Sequence, residues 1–396
     1  MTGVVLDEAS KLLGRHAPAL KRLVPPKQRQ KAWSVVFKAM PTSGKTATFA
    51  RWFRTTADQC GRQGSPLYQY LLDVAADDIE RRGPTWQVVE AFARQRSAPP
   101  AATALAFMAA VHQVVLDTPG NRLERYYPSV GGTADQRHCA TAFLSVVAEN
   151  RDRIRQLLTR TVQTNEVARS RVLVGGFLLV AQATGLPLRL VELGSSAGLN
   201  LRWDHYRYEA GDATWGDPAS PVRLTGEFLE GTPPFHLQAT VAERMGCDLS
   251  PIDARSAAGQ MRLLSHVWAD QTTRVEQLRA AFAVAERVDA PIVQGDAAQW
   301  IKGALAAPVP GLATVVFDTC VMEYLPVSAR ADIRSTIQRA GSRATADAPL
   351  AWLHLGPGAD GGDEELTLSM WPEATTTLLA TCDPYGRRVR WLGPAG

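Results

Sequence analysis

The spacing of apolar residues changes once along the chain, near Pro187. Before this point apolar residues recur every three or four positions, as between Tyr68 and Ala75, which predicts amphipathic helices from about residue 46 to residue 183. Gly-Pro, Pro-Pro and Pro-Gly pairs at positions 83–84, 99–100 and 119–120 separate the predicted helices. The first part of the chain is therefore expected to be helical.

After Pro187, short apolar runs alternate with helical patterns. The predicted strands are Leu188–Leu193, Thr240–Cys247, Pro291–Val293, Thr314–Phe317 and Leu350–Leu355. The predicted helices are Ala197–Tyr206, Gly259–Arg287 (as one helix or as two), Ala297–Ala306 and Ser328–Ala340. This alternation predicts βαβ units, and hence an α/β fold whose mostly parallel sheet is covered by helices on both faces. The last two apolar runs, Leu366–Trp371 and Arg387–Leu392, are expected to form an antiparallel C-terminal pair.

These patterns divide the chain into three predicted segments: a basic extension over 1–45, a helical cap region over 46–186 and an α/β domain over 187–396. Residues 204–238, rich in Gly, Pro, Asp and aromatic residues, are predicted to be an insertion. Eleven Lys or Arg and no Asp or Glu lie between Ala9 and Ala57. Three explanations stay open: an arm that binds nucleic acid or another acidic partner, a solvated or disordered extension, or a segment outside the natural protein, with Met40 as its start.

Composition narrows the class of protein. The 45% apolar and 21% charged fractions are ordinary for a soluble globular protein, and the longest apolar run, Val172–Ala181, is too short to span a bilayer. With no secretion signal recognised, a cytoplasmic protein with no membrane partner is expected. The five cysteines are far apart and lack CxxC spacing, so neither a metal site nor a disulfide framework is predicted.

The candidate chemistry begins at the first predicted strand. Glu192, Gly194 and Gly198 form the pattern E-x-G-x-x-x-G, in which an apolar strand leads into a tight turn. Glycines permit positive φ and let the backbone approach a ligand closely. A dinucleotide fingerprint would require glycine at the positions of Ser196 and Leu199, so that class of site is excluded.

This turn resembles motif I of class I S-adenosylmethionine-dependent methyltransferases. Three later segments resemble the ends of the second, third and fourth strands of those enzymes, in the same order: Gly246–Pro251, Val293–Ala297 and Val315–Pro326. From about Phe49 onward the chain also resembles a bacterial family, the domain of unknown function 2332, which is regarded as methyltransferase-like. Six segments carry that likeness: Gly64–Tyr68, Tyr126–Ser129, Gln163–Glu166, Glu192–Asn200, Gly216–Pro218 and Gly246–Pro251.

The resemblance implies a doubly wound, Rossmann-like methyltransferase sheet that binds S-adenosylmethionine, with Asp248 at the ribose and Asp296 near the adenine amino group. Helix capping is the competing explanation for the polar cluster that contains Asn165, whereas Arg169 is expected to pair with the cofactor carboxylate. The cofactor-binding residues expected are Glu192, Gly194, Ser195, Ser196, Gly198, Asn200, Asp248, Asp296, Asn165 and Arg169. Asp318, Glu323 and Tyr324, together with His354, follow or end predicted strands and are the catalytic candidates.

Three functions remain open. The first is methyl transfer to a small-molecule acceptor, with the helical region closing over the substrate pocket. The second is nucleic-acid methylation through the basic N-terminal arm. The third is a non-catalytic protein that binds a nucleoside or acts through its helices. The methyl acceptor and the oligomeric state are not predicted.

Overall fold

The computed structural model describes residues 41–96, 100–160, 162–358 and 361–394. Most of the predicted basic extension, and the candidate start at Met40, lies outside the described residues. The described chain divides into two compact units. The first runs to Val111 and includes Asp135–Arg160, and the second comprises His112–Ala134 and Thr161–Gly396.

The first unit is helical, as the apolar spacing predicts. Its helices are α1 (Thr42–Arg62), α2 (Pro66–Glu80), α3 (Pro84–Arg96), the first part of α4 (Pro100–Asp117), α5 (Gln136–Glu149) and α6 (Arg151–Leu158). Ser65 caps α2 by accepting from the Tyr68 N–H at 3.3 Å. Phe49, Phe53 and Leu71 have no exposed surface, so the predicted apolar faces form the core of this unit.

The second unit is built on a nine-stranded sheet, and the other described strands form a three-stranded sheet. The strands are β1 (Leu188–Leu193), β2 (Arg207–Ala210), β3 (Ala213–Trp215), β4 (Arg223–Thr225), β5 (Glu227–Glu230), β6 (Val241–Asp248), β7 (Ile292–Gln294), β8 (Ala313–Thr319), β9 (Leu350–Pro357), β10 (Glu364–Trp371), β11 (Thr375–Cys382) and β12 (Arg388–Trp391). The large sheet has the order β5-β12-β11-β10-β9-β8-β1-β6-β7. Its pairs are parallel from β7 through β9, antiparallel from β9 to β12, and parallel between β12 and β5.

The parallel strands wind outward from β1 in both directions. The chain passes from β1 to β6 and β7 on one side, then returns to β8 and β9 on the other. The strand order therefore reverses between β1 and β8, and in open α/β sheets ligands bind beyond the carboxyl ends of the strands at such a point. The prediction of a mostly parallel sheet is confirmed, and these strands start and end within two residues of their predicted bounds.

Helices cover both faces of this sheet. On one face α7 (Ser170–Thr184) packs in a core that includes Leu190 and Phe317. On the other face α10 (Ala297–Ala304) and α11 (Val327–Gly341) pack against Val191 and Val316. Two further helices, α8 (Ala257–Ser265) and α9 (Thr272–Ala285), follow β6. The described residues hold one stretch long and apolar enough to cross a membrane, Val167–Thr184, and 72% of it is buried inside the protein.

Two expectations need correction. The predicted C-terminal pair is wrong, because β11 lies between β10 and β12 and pairs with both. The predicted helix Ala197–Tyr206 is a 3-10 helix over Asn200–His205 with a kink at Arg202. The segment 204–238 contains β2, β3 and β4, which form the small sheet, and β5, which pairs at the edge of the large sheet.

Candidate functional site

The glycine turn, residues 194–198, follows β1 at the point where the strand order reverses. The N–H groups of Gly194 and Ser195 both donate to the Cys247 carbonyl, at 2.8 and 3.1 Å, which ties the turn to the end of β6. Gly194, Ser196 and Gly198 have φ values of 67°, 53° and 65°. Three left-handed residues within five positions fold the backbone tightly, and a serine adopts this conformation at a cost that glycine avoids.

Two side chains form hydrogen bonds with the backbone at the end of the turn. Asn165 Oδ1 accepts from the N–H groups of Ala197 and Leu199, at 3.2 and 3.0 Å. Arg202 is 4% exposed and donates to the carbonyls of Ala197 and Gly198. These bonds replace those of an α-helix, which explains why the predicted helix is not formed. Asn165 therefore orders the turn itself.

Asp248 ends β6 and faces the turn. Its carboxylate accepts from Ser196 N–H at 2.9 Å, from Ser250 N–H at 2.8 Å and from Gln163 Nε2 at 3.0 Å. A carboxylate offers about four acceptor positions, so one is left for a further donor. Gln163 is not among the predicted site residues, although it lies in the segment Gln163–Glu166, which carries part of the family resemblance.

Two buried oxygen atoms of the turn region have no hydrogen-bond partner: Glu192 Oε2 and Ser196 Oγ. Glu192 is 1% exposed. Burial raises its pKa well above the usual value, the charges of Asp248 and Asp318 act in the same direction, and Arg202 opposes them. Unsatisfied buried groups of this kind are uncommon in native proteins and call for an explanation such as a ligand.

Three other predicted cofactor residues have partners of their own. Asn200 Oδ1 accepts from Ser170 Oγ at 2.7 Å, and Ser195 Oγ donates to the Glu192 carbonyl at 3.0 Å. Asp296 caps α10 by accepting from Gln299 N–H at 3.1 Å. Asp296 is nevertheless exposed to solvent. The residue before it, Gly295, donates its N–H to the Asp248 carbonyl.

Arg169 lies at the end of a 3-10 helix, Val167–Arg169, just before α7. Its guanidinium donates to the carbonyls of Thr319 and Pro384, each time at 3.2 Å. Three of its five N–H groups are used in this way, so two remain for a ligand. Its neighbour Glu166 forms a buried ion pair with Arg274 and is thereby occupied.

Asp318 and His354 form a hydrogen-bonded pair across β8 and β9. The two residues are in register on the parallel strands, and Asp318 has no exposed surface. Its Oδ1 lies 2.9 Å from His354 Nδ1, and its Oδ2 accepts from Trp352 Nε1 at 3.0 Å. Burial would lower the pKa of His354, but the hydrogen bond and charge of Asp318 outweigh burial and raise it.

Glu323 and Glu364 lie in the same region. Each has a buried Oε2 without a hydrogen-bond partner. Burial and the charge of Glu364 raise the pKa of Glu323 to about 7, and burial likewise raises that of Glu364. Tyr324, the third catalytic candidate, is 78% exposed. We call Asp318, His354, Glu323 and Glu364 the acid–histidine cluster.

The turn and the cluster are adjacent. Val321 lies between Asp318 and Glu323 in sequence, and a Cβ placed on Gly194 would fall 2.1 Å from Val321 Cγ2. Among the described residues no group of three or more His, Cys, Asp or Glu is arranged to hold a metal ion. The carboxyl and imidazole groups of the cluster can transfer protons and form hydrogen bonds.

The comparisons with known proteins identify the family. Residues 50–391 match the model of a family described as "Uncharacterized protein conserved in bacteria (DUF2332)", and the chain therefore belongs to this family. No curated protein and no solved structure matches the chain.

Proposed function

We propose that this member of the DUF2332 family is an S-adenosylmethionine-dependent methyltransferase that acts on a small-molecule acceptor. The observation that carries the proposal is the glycine turn at the reversal of strand order, with two buried oxygens, Glu192 Oε2 and Ser196 Oγ, that lack partners. A sulfonium cofactor with an α-amino group and ribose hydroxyls supplies donors for such atoms. When bound, it would supply an electrophilic methyl group.

The residues around the turn fit this cofactor. Asp248 keeps one acceptor position for a ribose hydroxyl, and Glu192 would accept from the α-amino group. Arg169 has two free donors for the cofactor carboxylate. Leu249, just after β6, is 66% exposed, and Val293, in β7, is 50% exposed. Their side chains provide apolar surface for a purine ring beside Asp248.

Ligand binding by the full chain tests the proposal. S-adenosylhomocysteine at 100 times its Kd should raise the free energy of unfolding by about 2.7 kcal/mol, seen as a higher Tm. Asp248→Asn should remove most of that shift. Asp253→Ala is the matched control, because Asp253 lies on the same loop and its side chain is 58% exposed. A wild-type chain without a shift at millimolar ligand would overturn the proposal.

Two other functions have separate tests. The basic segment between Ala9 and Ala57 favours a nucleic-acid acceptor, although most of it lies outside the described residues. Salt-dependent RNA binding that disappears on deleting the residues before Met40 would support that function. A non-catalytic member would bind S-adenosylhomocysteine but transfer no methyl group to any acceptor.

A further inference from the structure

We propose that His354 Nε2 receives the proton of the methyl acceptor, that Asp318 is the positioning residue for His354, and that the acceptor is therefore an O–H or N–H nucleophile. The inference deepens the proposed function and rests on it. A carboxylate, a thiolate or a tertiary amine would have no proton to give up and would not need this arrangement.

The geometry fixes one form of the imidazole. Because the Asp318 carboxylate lies 2.9 Å from Nδ1, the proton of neutral His354 sits on Nδ1 and the lone pair is left on Nε2. Trp352 holds the other Asp318 oxygen, so the carboxylate cannot turn away. The His354 side chain is 22% exposed, whereas Asp318 is fully buried, so only the imidazole of this pair is open to a ligand.

The charges near His354 favour its protonated form after transfer. Asp318, Glu323 and Glu364 are acidic, and Arg334 on α11 is the opposing cation. Two neighbouring groups are weaker candidates. Burial raises the pKa of the Cys320 thiol to about 12, which keeps it protonated, and the Tyr324 side chain is mostly exposed to solvent.

The proton moves from the acceptor's O–H or N–H to His354 Nε2. At the same time the acceptor's lone pair bonds to the methyl carbon, and the electron pair of the broken C–S bond returns to sulfur. Atoms and charge balance without any further reagent, and His354 later releases its proton to solvent.

Sinefungin provides a probe that does not depend on knowing the acceptor. It carries an ammonium group where the methyl sulfonium stands, whereas S-adenosylhomocysteine carries none. As the pH falls and His354 becomes charged, sinefungin should bind more weakly relative to S-adenosylhomocysteine. We expect the Kd of sinefungin divided by that of S-adenosylhomocysteine, measured by calorimetry on the full chain, to rise about tenfold. His354→Gln should flatten this dependence, and Asp318→Asn should move it to lower pH.

Glu323, whose pKa is raised to about 7, also gains a proton as the pH falls and is the internal control. If His354→Gln leaves the pH dependence intact and Glu323→Gln removes it, the carboxyl group faces the methyl position and the inference is wrong. If S-adenosylhomocysteine binds but the ratio does not change with pH, the inference fails while the proposed function stands. If S-adenosylhomocysteine does not bind at all, both are overturned.

Discussion

The glycine turn and the acid–histidine cluster lie side by side, yet their polar groups are in different surroundings. In the turn, Asn165, Gln163 and Arg202 satisfy backbone and carboxylate groups, and two buried oxygens remain unpartnered. In the cluster, neighbouring acids face one another and the pKa values of Glu323 and Glu364 are raised. A buried unsatisfied group costs about 1–3 kcal/mol. Both regions contain such groups, since Glu323 Oε2 and Glu364 Oε2 are also buried without partners. The turn is otherwise held by hydrogen bonds, whereas the carboxyl groups of the cluster have raised pKa values, and this difference suits a holding region beside a reacting one.

The largest effect is expected where the turn depends on a side chain. Arg202→Met would leave the carbonyls of Ala197, Gly198 and Val288 without their buried donor, so the free energy of unfolding should fall by about 3–5 kcal/mol. Chemical unfolding followed by tryptophan fluorescence measures it. Arg255→Met, at a site 57% exposed, should change it by about 0.5 kcal/mol or less. Equal losses in both variants would show that Arg202 does not hold the turn.

The next effect tests the contact between the two regions. Gly194→Ala should cost about 3 kcal/mol, because the new Cβ combines a positive φ with a clash against Val321. Gly311→Ala isolates the backbone term, at about 1 kcal/mol, since Gly311 has φ 76° and open space around it. The double variant Gly194→Ala with Val321→Ala should recover part of the loss. Without recovery, the turn and the segment after β8 are not in direct contact.

The acid–histidine cluster should make the free energy of unfolding depend on pH. Glu323 has a folded pKa of about 7, above the usual 4.5, so the folded state binds more protons than the unfolded state between these values. Stability is therefore lost as the pH rises from about 4.5 to 7. Glu323→Gln should remove this slope and raise the free energy of unfolding at pH 8 by about 2 kcal/mol relative to wild type, allowing for solvent screening. At pH 4 the two proteins should match; an identical slope in both would contradict the raised pKa.

Periodicity and glycine placement predicted most of the α/β framework. The strands β1, β6, β7, β8 and β9 were predictable because each is an apolar run between turn signals. The helix predicted after the turn is not formed because the side chains of Arg202 and Asn165 bond the backbone groups there. Such tertiary hydrogen bonds leave no signal in the local sequence. Strand β11 was missed because its residues 375–377 are three exposed threonines at the start of an otherwise short apolar run.

Most acids of the two regions could be named from the sequence, but their pairings could not. Asp318 and His354 lie 36 positions apart and meet only because β8 and β9 are parallel and in register, which a single sequence does not reveal. Glu364 had no motif to mark it, since it stands at the start of β10 in a run of acidic residues. Residues that end parallel strands can be proposed from sequence, whereas the partner of each one requires the register.

The smallest expected effect on stability is at Asp296, where a substitution tests whether this residue only caps α10 or also binds the adenine group. One of its oxygens accepts from Gln299 N–H and caps α10, and the proposed adenine contact needs the other. Asp296→Asn keeps an oxygen for the cap, so the free energy of unfolding should change by about 0.5 kcal/mol or less. It also turns the second acceptor into a donor, which cannot accept from the adenine amino group, so the Kd for S-adenosylhomocysteine should rise about tenfold. Asp296→Ala should weaken binding similarly and also cost about 1 kcal/mol of stability. If Asp296→Asn leaves the Kd unchanged, Asp296 only caps α10, and the holding region ends at Asp248.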